Sequence, residues 1–280
     1  MNEKEFNKEV KIGERFEFGK NWKSFLNSLT DEQIEVAKES LTDMMSIDDL
    51  TGKSFLDIGC GSGLFSLSAK MLNAKVHSFD FDPMSVKCAR FLNEKFTDND
   101  NNWKIEQGSV LNTEYVKSLS KFDIVYSWGV LHHTGNMELA LDNAGIPVKD
   151  NGLLFIAIYN DQGEKSRFWL KIKKIYNSSF IGKLAVKTFY YPYYTILGLM
   201  IDLFRRKNPF KRYREYRKLR GMSITHDWKD WLGGLPFEVA TPDYIIDFYL
   251  NRGFYLMKIK STNRLGCNQF VFKKTEHNIK

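Results

Sequence analysis

An aspartate precedes a glycine-rich turn by two residues, and this pairing limits what the turn can bind. The stretch FLDIGCGSGLFSL, residues 55–67, has the pattern of an apolar strand, a turn with glycines at positions 59, 61 and 63, and the start of a helix. Turns of this kind commonly hold phosphates through their backbone N–H groups. Asp57 opposes that use, because a pyrophosphate beside a carboxylate in a partly dry cleft binds less well by several kcal/mol.

The spacing of the glycines separates two cofactors. A dinucleotide-binding turn has the pattern G-x-G-x-x-G, and its third small residue lets helix and strand approach closely. Here the pattern is G-x-G-x-G, and Leu64 occupies the position that should be small. S-adenosylmethionine (SAM) has no phosphate and carries a positive sulfonium and a positive amino group, both of which a carboxylate favours. The turn therefore favours SAM, and a nicotinamide-dependent oxidoreductase ranks lower.

A second carboxylate ends the next predicted strand. Asp80 closes the segment VHSFD and precedes a helix that begins near Pro83. A carboxylate in this position can accept hydrogen bonds from both ribose hydroxyls of a nucleoside. The alternative is that Asp80 only caps the following helix, a role for which Asp82 is better placed. We expect Asp80 to bind the ribose, although NAD enzymes share this feature.

The elements around these residues alternate between strand and helix. Strands are predicted over 53–58, 75–80, 103–107, 122–128 and 153–159, and helices over 63–73, 84–96 and 136–147. A further helix over 242–251 precedes two last strands, within 249–262 and 267–274. Nearly continuous apolar strands are typical of a parallel sheet that is covered on both faces. The pattern predicts an α/β, Rossmann-like doubly wound, mostly parallel sheet of seven strands, with ligands at the carboxyl ends of its strands.

Three regions differ in pattern. Residues 1–50 form an N-terminal helical segment, in which Thr30 and Gln33 have the spacing of a capping box and the aromatic stretch 16–26 is expected to pack onto another part. Residues 51–160 and 236–280 form the core that contains the sheet. Residues 161–235 have no strand pattern and are helical, aromatic and basic, so we expect them to form a lid over the ligand-binding edge.

Positive charge is concentrated in one segment of the lid. The 280-residue chain has a net charge of +7, and residues 205–220 alone hold nine basic residues and one acidic residue. This segment could be a solvated helix face, a contact for an acidic partner, substrate or lipid headgroup, or an anchor for RNA, in that order of preference. Residues 188–201 before it are uncharged but shorter than the ~20 residues of a membrane span, so they form lid core or an interfacial surface.

The cysteines and the N-terminus suggest a compartment. Three cysteines, Cys60, Cys88 and Cys267, are too few for a disulfide framework and suggest a reducing environment. The first residues are charged and lack the apolar core of a secretion signal. We therefore expect a cytoplasmic protein, and we assign no metal ligand.

Several motifs together resemble one family. LDIGCGSG, SFDFDP, WKIEQGSVL, and FDIVYSWGVLHHTG followed by VKDNGLLFIAIYN are similar to the successive motifs of class I SAM-dependent methyltransferases, over residues 53–159 and more weakly in the last two strands. The stretches FEFGKNW, IAIYNDQG and THDWKDWLGGLPFE resemble members described as quinol-methylase-like. The resemblance implies SAM as cofactor and a sheet that ends in a reversed hairpin.

The same resemblance implies a set of cofactor-binding residues. Asp57 would lie near the methionine amine, with the glycine turn behind the amino-acid and ribose parts and Phe81 against the adenine. Ser109 and Val110 would flank the adenine edge, although many family members have an acid where Ser109 stands. Ser127 and Trp128 would close over the methionyl group. The full set is Asp57, Gly59, Cys60, Gly61, Gly63, Asp80, Phe81, Ser109, Val110, Ser127 and Trp128.

Methyl transfer to a hydroxyl requires a base in addition to positioning. His132 and His133 follow the fourth predicted strand, and we expect at most one of these adjacent side chains to face the acceptor. The alternative is a histidine that is hydrogen-bonded to a loop carbonyl. His226 is a third candidate base in the lid. Asp227, Tyr159 and Asn160 are candidate substrate contacts, with lid packing as the alternative for the first.

These observations predict an enzyme that transfers a methyl group from SAM to a small or lipid-like acceptor, with oxygen favoured as the atom methylated. One alternative is an RNA (tRNA or rRNA) methyltransferase that uses residues 205–220 as its anchor. Another is a protein that binds SAM without transferring the methyl group.

Overall fold

A seven-stranded sheet forms the centre of the protein. The computed structural model describes residues 3–27, 29–206, 208 and 224–276. The strands are β1 (Ser54–Ile58), β2 (Lys75–Asp80), β3 (Trp103–Gln107), β4 (Phe122–Trp128), β5 (Val148–Tyr159), β6 (Phe254–Lys260) and β7 (Cys267–Lys274). Their order is β3-β2-β1-β4-β5-β7-β6; the pairs from β3 to β5 are parallel, and β7 pairs antiparallel with both β5 and β6. The predicted Rossmann-like, mostly parallel sheet with a reversed final hairpin is confirmed.

Eleven helices are found in the described residues. They are α1 (Glu3–Lys11), α2 (Phe18–Leu26), α3 (Asp31–Met45), α4 (Leu64–Met71), α5 (Pro83–Thr97), α6 (Thr113–Ser118), α7 (Met137–Gly145), α8 (Glu164–Ser178), α9 (Phe180–Phe204), α10 (Ile224–Gly233) and α11 (Pro242–Leu250). A 3₁₀ turn spans Leu131–His133. The predicted capping box starts α3, since Thr30 and Gln33 exchange side-chain to backbone hydrogen bonds.

Both faces of the central part of the sheet are covered, which explains why β1 and β4 are buried along most of their length, whereas the edge strands β3 and β6 are partly exposed. In β1, Phe55 packs with α3, α4 and α5, whereas Leu56 and Ile58 pack on the opposite face with α7 and α11. Asp57 has the same parity as Phe55, so its carboxyl group points towards the α4 face. A polar group is thereby placed inside an apolar layer.

The inserted helices share a separate apolar cluster with the N-terminal segment. Tyr176 of α8, Val186 and Tyr190 of α9, and Leu232 next to α10's end pack around Phe16. The N-terminal segment thus packs against the helices that are inserted between β5 and α11. Of the basic segment 205–220, only residues 205, 206 and 208 belong to the described part, so the prediction for the remainder lies outside the described residues.

Candidate active site

The glycine turn between β1 and α4 is tight enough to exclude side chains. Gly59 and Gly63 have φ of 73° and 83°, which L-residues adopt only with strain. A Cβ atom on Gly59 would lie 2.3 Å from Val130 Cγ1, and one on Gly63 would lie 2.7 Å from Ala89 Cα. The turn therefore brings α4 against α5, and it brings the loop after β4 against the end of β1.

Asp57 lies under this turn as a buried carboxyl group. Only 2% of its surface is exposed, and its Oδ2 accepts a hydrogen bond from Ser66 of α4. Since the Ser66 proton is used there, Ser78 donates to Ser66 over 2.7 Å, and Trp103 Nε1 donates to Ser78 over 2.8 Å. Burial raises the pKa of Asp57 to about 7, although the bond from Ser66 opposes this rise.

Asp80 binds the backbone of the same turn from the next strand. Its two oxygens accept hydrogen bonds from the N–H groups of Gly61 and Asp82, each over 2.8 Å. Burial and the neighbouring Asp82 raise the pKa of Asp80 to about 7. Asp82 itself caps α5 by accepting from Met84 N–H over 2.8 Å, as the sequence predicted, so Asp80 is not needed for that role.

The charge of this cleft fits SAM. Burial is the main cause of the raised pKa values of Asp57 and Asp80. Neighbouring carboxyl groups add to the rise and Arg15 opposes it weakly at Asp80, so little positive charge balances the two carboxylates when they ionise. A cationic ligand would supply that charge, whereas a diphosphate would increase the imbalance. There is also space, because a Cβ atom on Gly129, directly after β4, would meet nothing within 4 Å, and the preceding Trp128 is 40% exposed.

Four further predicted cofactor residues, Phe81, Ser109, Cys60 and Val110, have contacts within the protein or are buried. Phe81 packs edge-on against Phe6 at 5.6 Å, and the Arg15 guanidinium lies 4.8 Å from the centre of its ring. Ser109 accepts a hydrogen bond from its own loop, from Leu111 N–H over 3.2 Å. Two further members, Cys60 and Val110, are almost fully buried.

Ser127 is bonded within the sheet through its side chain. Its side chain is fully buried, and its hydroxyl donates to the Ile58 carbonyl over 3.0 Å. This bond ties β4 to β1 within the sheet. The contact of Ser127 and Trp128 with the methionyl group stays a prediction.

The N-terminal segment covers the cleft, a feature that the sequence indicated only through its aromatic residues. Gly19 N–H donates to Asp82 over 2.7 Å, and a Cβ atom on Gly61 would lie 3.1 Å from Trp22 Nε1. Arg15 donates to the carbonyls of His133 and Thr134, over 3.2 and 3.4 Å. The prediction that residues 16–26 pack onto another part is confirmed, and Arg15 was not predicted.

The two adjacent histidines lie together against the end of β5. Both rings contact Tyr159, at centroid distances of 4.0 Å for His132 and 5.3 Å for His133, so the two side chains lie close together at the end of β5. His132 is fully buried; its Nδ1 accepts from Tyr159 N–H over 3.3 Å, and its Nε2 has no partner in the described structure. His133 keeps 9% of its surface exposed, and its Nδ1 bonds to the Pro236 carbonyl.

Burial keeps both histidines neutral. It lowers the pKa of His132 well below its ordinary value, with further contributions from His133 and Lys173. It lowers the pKa of His133 to about 3, again with a contribution from Lys173, and the bond to Pro236 opposes the change. The alternative of a histidine that is bonded to a loop carbonyl is realised in His133, but this bond also sets the tautomer of the ring.

A buried lysine lies beside the histidines and was not predicted. Lys173 of α8 is fully buried, donates to the Trp231 carbonyl, and lies 4.6 and 4.8 Å from the ring centres of Trp231 and Phe237. Burial lowers the pKa of Lys173 to about 7, with Asp230 opposing the change. Burial also raises the pKa of Asp230 to about 7, although Asn21 donates to this carboxyl group over 2.8 Å.

Asn160, Asp227 and His226 are the remaining predicted substrate contacts and candidate base. Asn160 is 6% exposed; it donates to the Thr262 carbonyl over 2.8 Å and accepts from Asn268 over 3.0 Å. These bonds hold the loop between β6 and β7, and the predicted substrate contact of Asn160 stays a prediction. Asp227 of α10 is half-buried and contributes to the raised pKa of Asp230. The side chain of His226 lies outside the described residues.

Comparison with known proteins identifies the class of enzyme that this fold and cleft indicate. Residues 31–181, more than half of the chain, match the sequence model of a family described as "methyltransferase domain", and the chain belongs to that family. The protein is a SAM-dependent methyltransferase.

Individual relatives differ in what they are named for. Over 237 residues the chain is 26% identical to a ubiquinone biosynthesis O-methyltransferase of Pelagibacter ubique, covering 82% of this chain and 92% of that protein. Over 116 residues it is 32% identical to a ribosomal protein L11 methyltransferase of Bacillus velezensis, covering 36% and 37%. The crystal structure of magnesium protoporphyrin IX methyltransferase from Synechocystis PCC 6803 with bound SAH has a TM-score of 0.52 at 12% identity, covering 87% of this chain and 84% of that one, which supports the fold alone.

Proposed function

We propose that this methyltransferase methylates the hydroxyl oxygen of a small, largely apolar aromatic molecule, and that His133 accepts the hydroxyl proton. The observation that carries the proposal is the bond between His133 Nδ1 and the Pro236 carbonyl. A carbonyl oxygen can only accept, so Nδ1 holds the ring proton and Nε2 keeps its lone pair. The ring is thereby oriented with its Nε2 lone pair free to accept, and because burial lowers the pKa of His133 to about 3, the bound acceptor must stabilise the imidazolium that forms when the ring takes up the proton.

The cofactor would be held by the cleft at the ends of β1, β2 and β4. Asp57 would favour the methionine amine, Asp80 the ribose, and the glycine turn the atoms between them. SAM, when bound, supplies a methyl group on a sulfonium, which needs no further activation. What remains for the chain is to position the acceptor oxygen within about 3–3.5 Å of that methyl group, exclude water and take up one proton.

The surroundings of His133 suit a planar, apolar acceptor. Tyr159 lies at the centre of a group of rings, with Trp231 and Phe237 at centroid distances of 5.7 and 5.4 Å. Phe18 of the N-terminal segment contacts His133 at 5.1 Å. Aromatic walls of this kind favour flat hydrophobic molecules and exclude water. The name of the Pelagibacter relative, an O-methyltransferase of ubiquinone biosynthesis, supports the same class of acceptor.

The proton has a defined route in this proposal. As the new O–CH3 bond forms and the S–CH3 bond breaks, the proton leaves the acceptor hydroxyl for His133 Nε2. The remaining exposure of His133 lets the ring return this proton to solvent after transfer. His132 lies next to it with an unpartnered Nε2, and it holds the Tyr159 backbone through Nδ1.

The test is labelling with a methyl-labelled donor. The protein is incubated with labelled SAM and a panel of phenols, catechols and hydroquinones, and in parallel with extract separated into small molecules, RNA and protein. We expect label in the small-molecule fraction as a methyl ether, which survives mild alkali, whereas a methyl ester does not. Label confined to RNA or protein would overturn the proposed acceptor class.

The matched pair of variants is His133→Gln and His77→Gln. His77 lies in β2 and bonds to Glu106 over 2.9 Å, away from Tyr159. We expect H133Q to lower kcat by about 10²-fold or more, with SAM affinity within about twofold of the wild type. H77Q should leave kcat unchanged. Full turnover in H133Q would remove His133 from the chemistry even if the acceptor class were correct.

A further inference from the structure

Helix α9 exposes an unusually large apolar surface. Of its 25 residues, eleven are large hydrophobic residues that are at least 40% exposed. They are Phe180, Ile181, Leu184, Phe189, Tyr193, Ile196, Leu197, Leu199, Met200, Leu203 and Phe204. Exposure reaches 79% at Leu203 and 92% at Phe204. Single exposed apolar residues are common on proteins, but a contiguous patch of this kind marks a contact surface.

The packing of α9 accounts for only one of its faces. Val186, Tyr190, Gly198 and Asp202 are buried, and their spacing of four or eight residues places them on one stripe. No charged residue lies between Lys187 and Asp202, so the rest of the helix surface over these residues has no charged face for water. A helix that is apolar on all sides is normally covered on all sides.

The charge around α9 indicates what covers it. Between residues 164 and 206 there are nine basic and two acidic residues, an excess that equals the net charge of +7 of the whole chain. Lys171 and Lys174 of α8 are exposed, as are Arg205 and Arg206 directly after α9. A partner of this surface must therefore present apolar groups and negative charge together.

We propose that α9 and its basic flanks dock on the surface of a membrane that contains anionic lipids. Acyl chains at the boundary would cover the apolar residues, and acidic headgroups would face the flanking lysines and arginines. The contact is interfacial, since no helix in the described residues is long and apolar enough to cross a bilayer. Docking at a membrane would extend the proposed function, because an apolar acceptor dissolved in the membrane would lie near this surface. The docking proposal does not depend on the proposed function, since it is argued from the exposure and charge of α9 and its flanks.

Two other occupants fit the observations less well. A second copy of the chain would bring the same basic flanks together, and like charges would oppose the contact. RNA would be attracted by the basic residues, but its phosphates and bases gain little from aliphatic side chains such as Ile196, Met200 and Leu203. Of these three occupants, the lipid surface alone uses both properties.

The test is sedimentation of the full-length protein with vesicles. Two preparations are compared: phosphatidylcholine alone, and phosphatidylcholine in which about a third of the lipid is phosphatidylglycerol. We expect at least tenfold tighter binding to the anionic vesicles. The double variant Ile196→Glu/Met200→Glu, at positions that are 56% and 62% exposed, should lose at least tenfold in this affinity. The control is Met257→Glu on β6, 55% exposed, which should bind as the wild type does.

Each other result overturns the proposal. Equal binding to both vesicle types would show that the basic flanks do not select the surface, and absence of binding would exclude a membrane. A dimer in light scattering that the double variant dissociates would assign α9 to a second copy. Mobility shifts with RNA in the absence of vesicle binding would assign the charge to nucleic acid. Thermal melting and SAM binding, measured on all three proteins, verify that the substitutions leave the fold intact.

Discussion

Replacing Asp57 with asparagine should strengthen the fold and weaken cofactor binding in the same molecule. The carboxyl group is 2% exposed, and burial raises its pKa from 3.8 to about 7. A rise of about three pKa units, at about 1.4 kcal/mol each, corresponds to a cost of about 4 kcal/mol for the ionised group at pH 8. Asparagine has no such charge, and its carbonyl oxygen can still accept the hydrogen bond from Ser66.

The sign of the pH dependence makes this prediction specific. Between pH 3.8 and 7 the folded protein keeps a proton on Asp57 that the unfolded chain has lost. The free energy of unfolding of the wild type therefore falls as pH rises through this window, and levels off above pH 7. The variant lacks this contribution, so its advantage should grow from under about 1 kcal/mol near pH 4.5 to about 2–4 kcal/mol at pH 8.

Urea unfolding of the ligand-free protein at pH 4.5, 6 and 8 measures the stability, and calorimetry with SAM at pH 8 measures binding. We expect D57N to bind SAM at least tenfold more weakly. The matched control is Asp123→Asn. Partial burial alone would raise the pKa of Asp123, but hydrogen bonds from Lys149 and Ser54 lower it to about 2. This variant should therefore lose stability at pH 8. If D57N were less stable than the wild type at pH 8, or equally stabilised at every pH, the electrostatic account of the cleft would be refuted.

Two further predictions concern packing and a second buried charge. Gly63→Ala should cost about 3 kcal/mol or more in urea unfolding, because its Cβ would lie 2.7 Å from Ala89 Cα. Gly52→Ala, with a similar positive φ and nothing within 4 Å, should cost about 1 kcal/mol; equal costs would show that contact with α5 is not the constraint. Burial lowers the pKa of Lys173 to about 7, so between pH 7 and 10.5 only the unfolded chain keeps this proton and wild-type stability rises with pH. Lys173→Met should remove that rise and be the more stable protein at pH 7, and an unchanged slope between pH 7 and 9 would contradict the assignment.

The strands were predictable where their own residues carry the pattern. β4 and β7 begin and end at the predicted residues, because their apolar side chains pack on the sheet faces. β5 begins five residues earlier than predicted, at Val148, which pairs with Phe122 before a register shift. The polar residues after Val148 resemble a loop in sequence. They lie between two paired positions, Val148 opposite Phe122 and Leu153 opposite Ile124, so they form an irregularity within the strand, and no local pattern records that.

The candidate site was predictable on the cofactor side and less so on the acceptor side. Asp57 and Asp80 come from strand ends, whose positions follow directly from the pattern. Arg15 and Lys173 stand among other charged residues on the segments that carry them, so nothing near them in sequence distinguishes a buried cation from a solvated one. Asn160 follows a strand as predicted, but the loop that its side chain binds lies a hundred residues further along the chain.

The position of β7 has a consequence for biosynthesis. β5 pairs on one side with β7, which is the last strand of the described chain, and more than a hundred residues separate their first residues. While the ribosome makes the intervening helices, the seven residues of β5 that will pair with β7 present an open edge to other nascent chains. A product released before β7 emerges would keep that edge, so premature termination near residue 260 should lead to aggregation or to binding by chaperones.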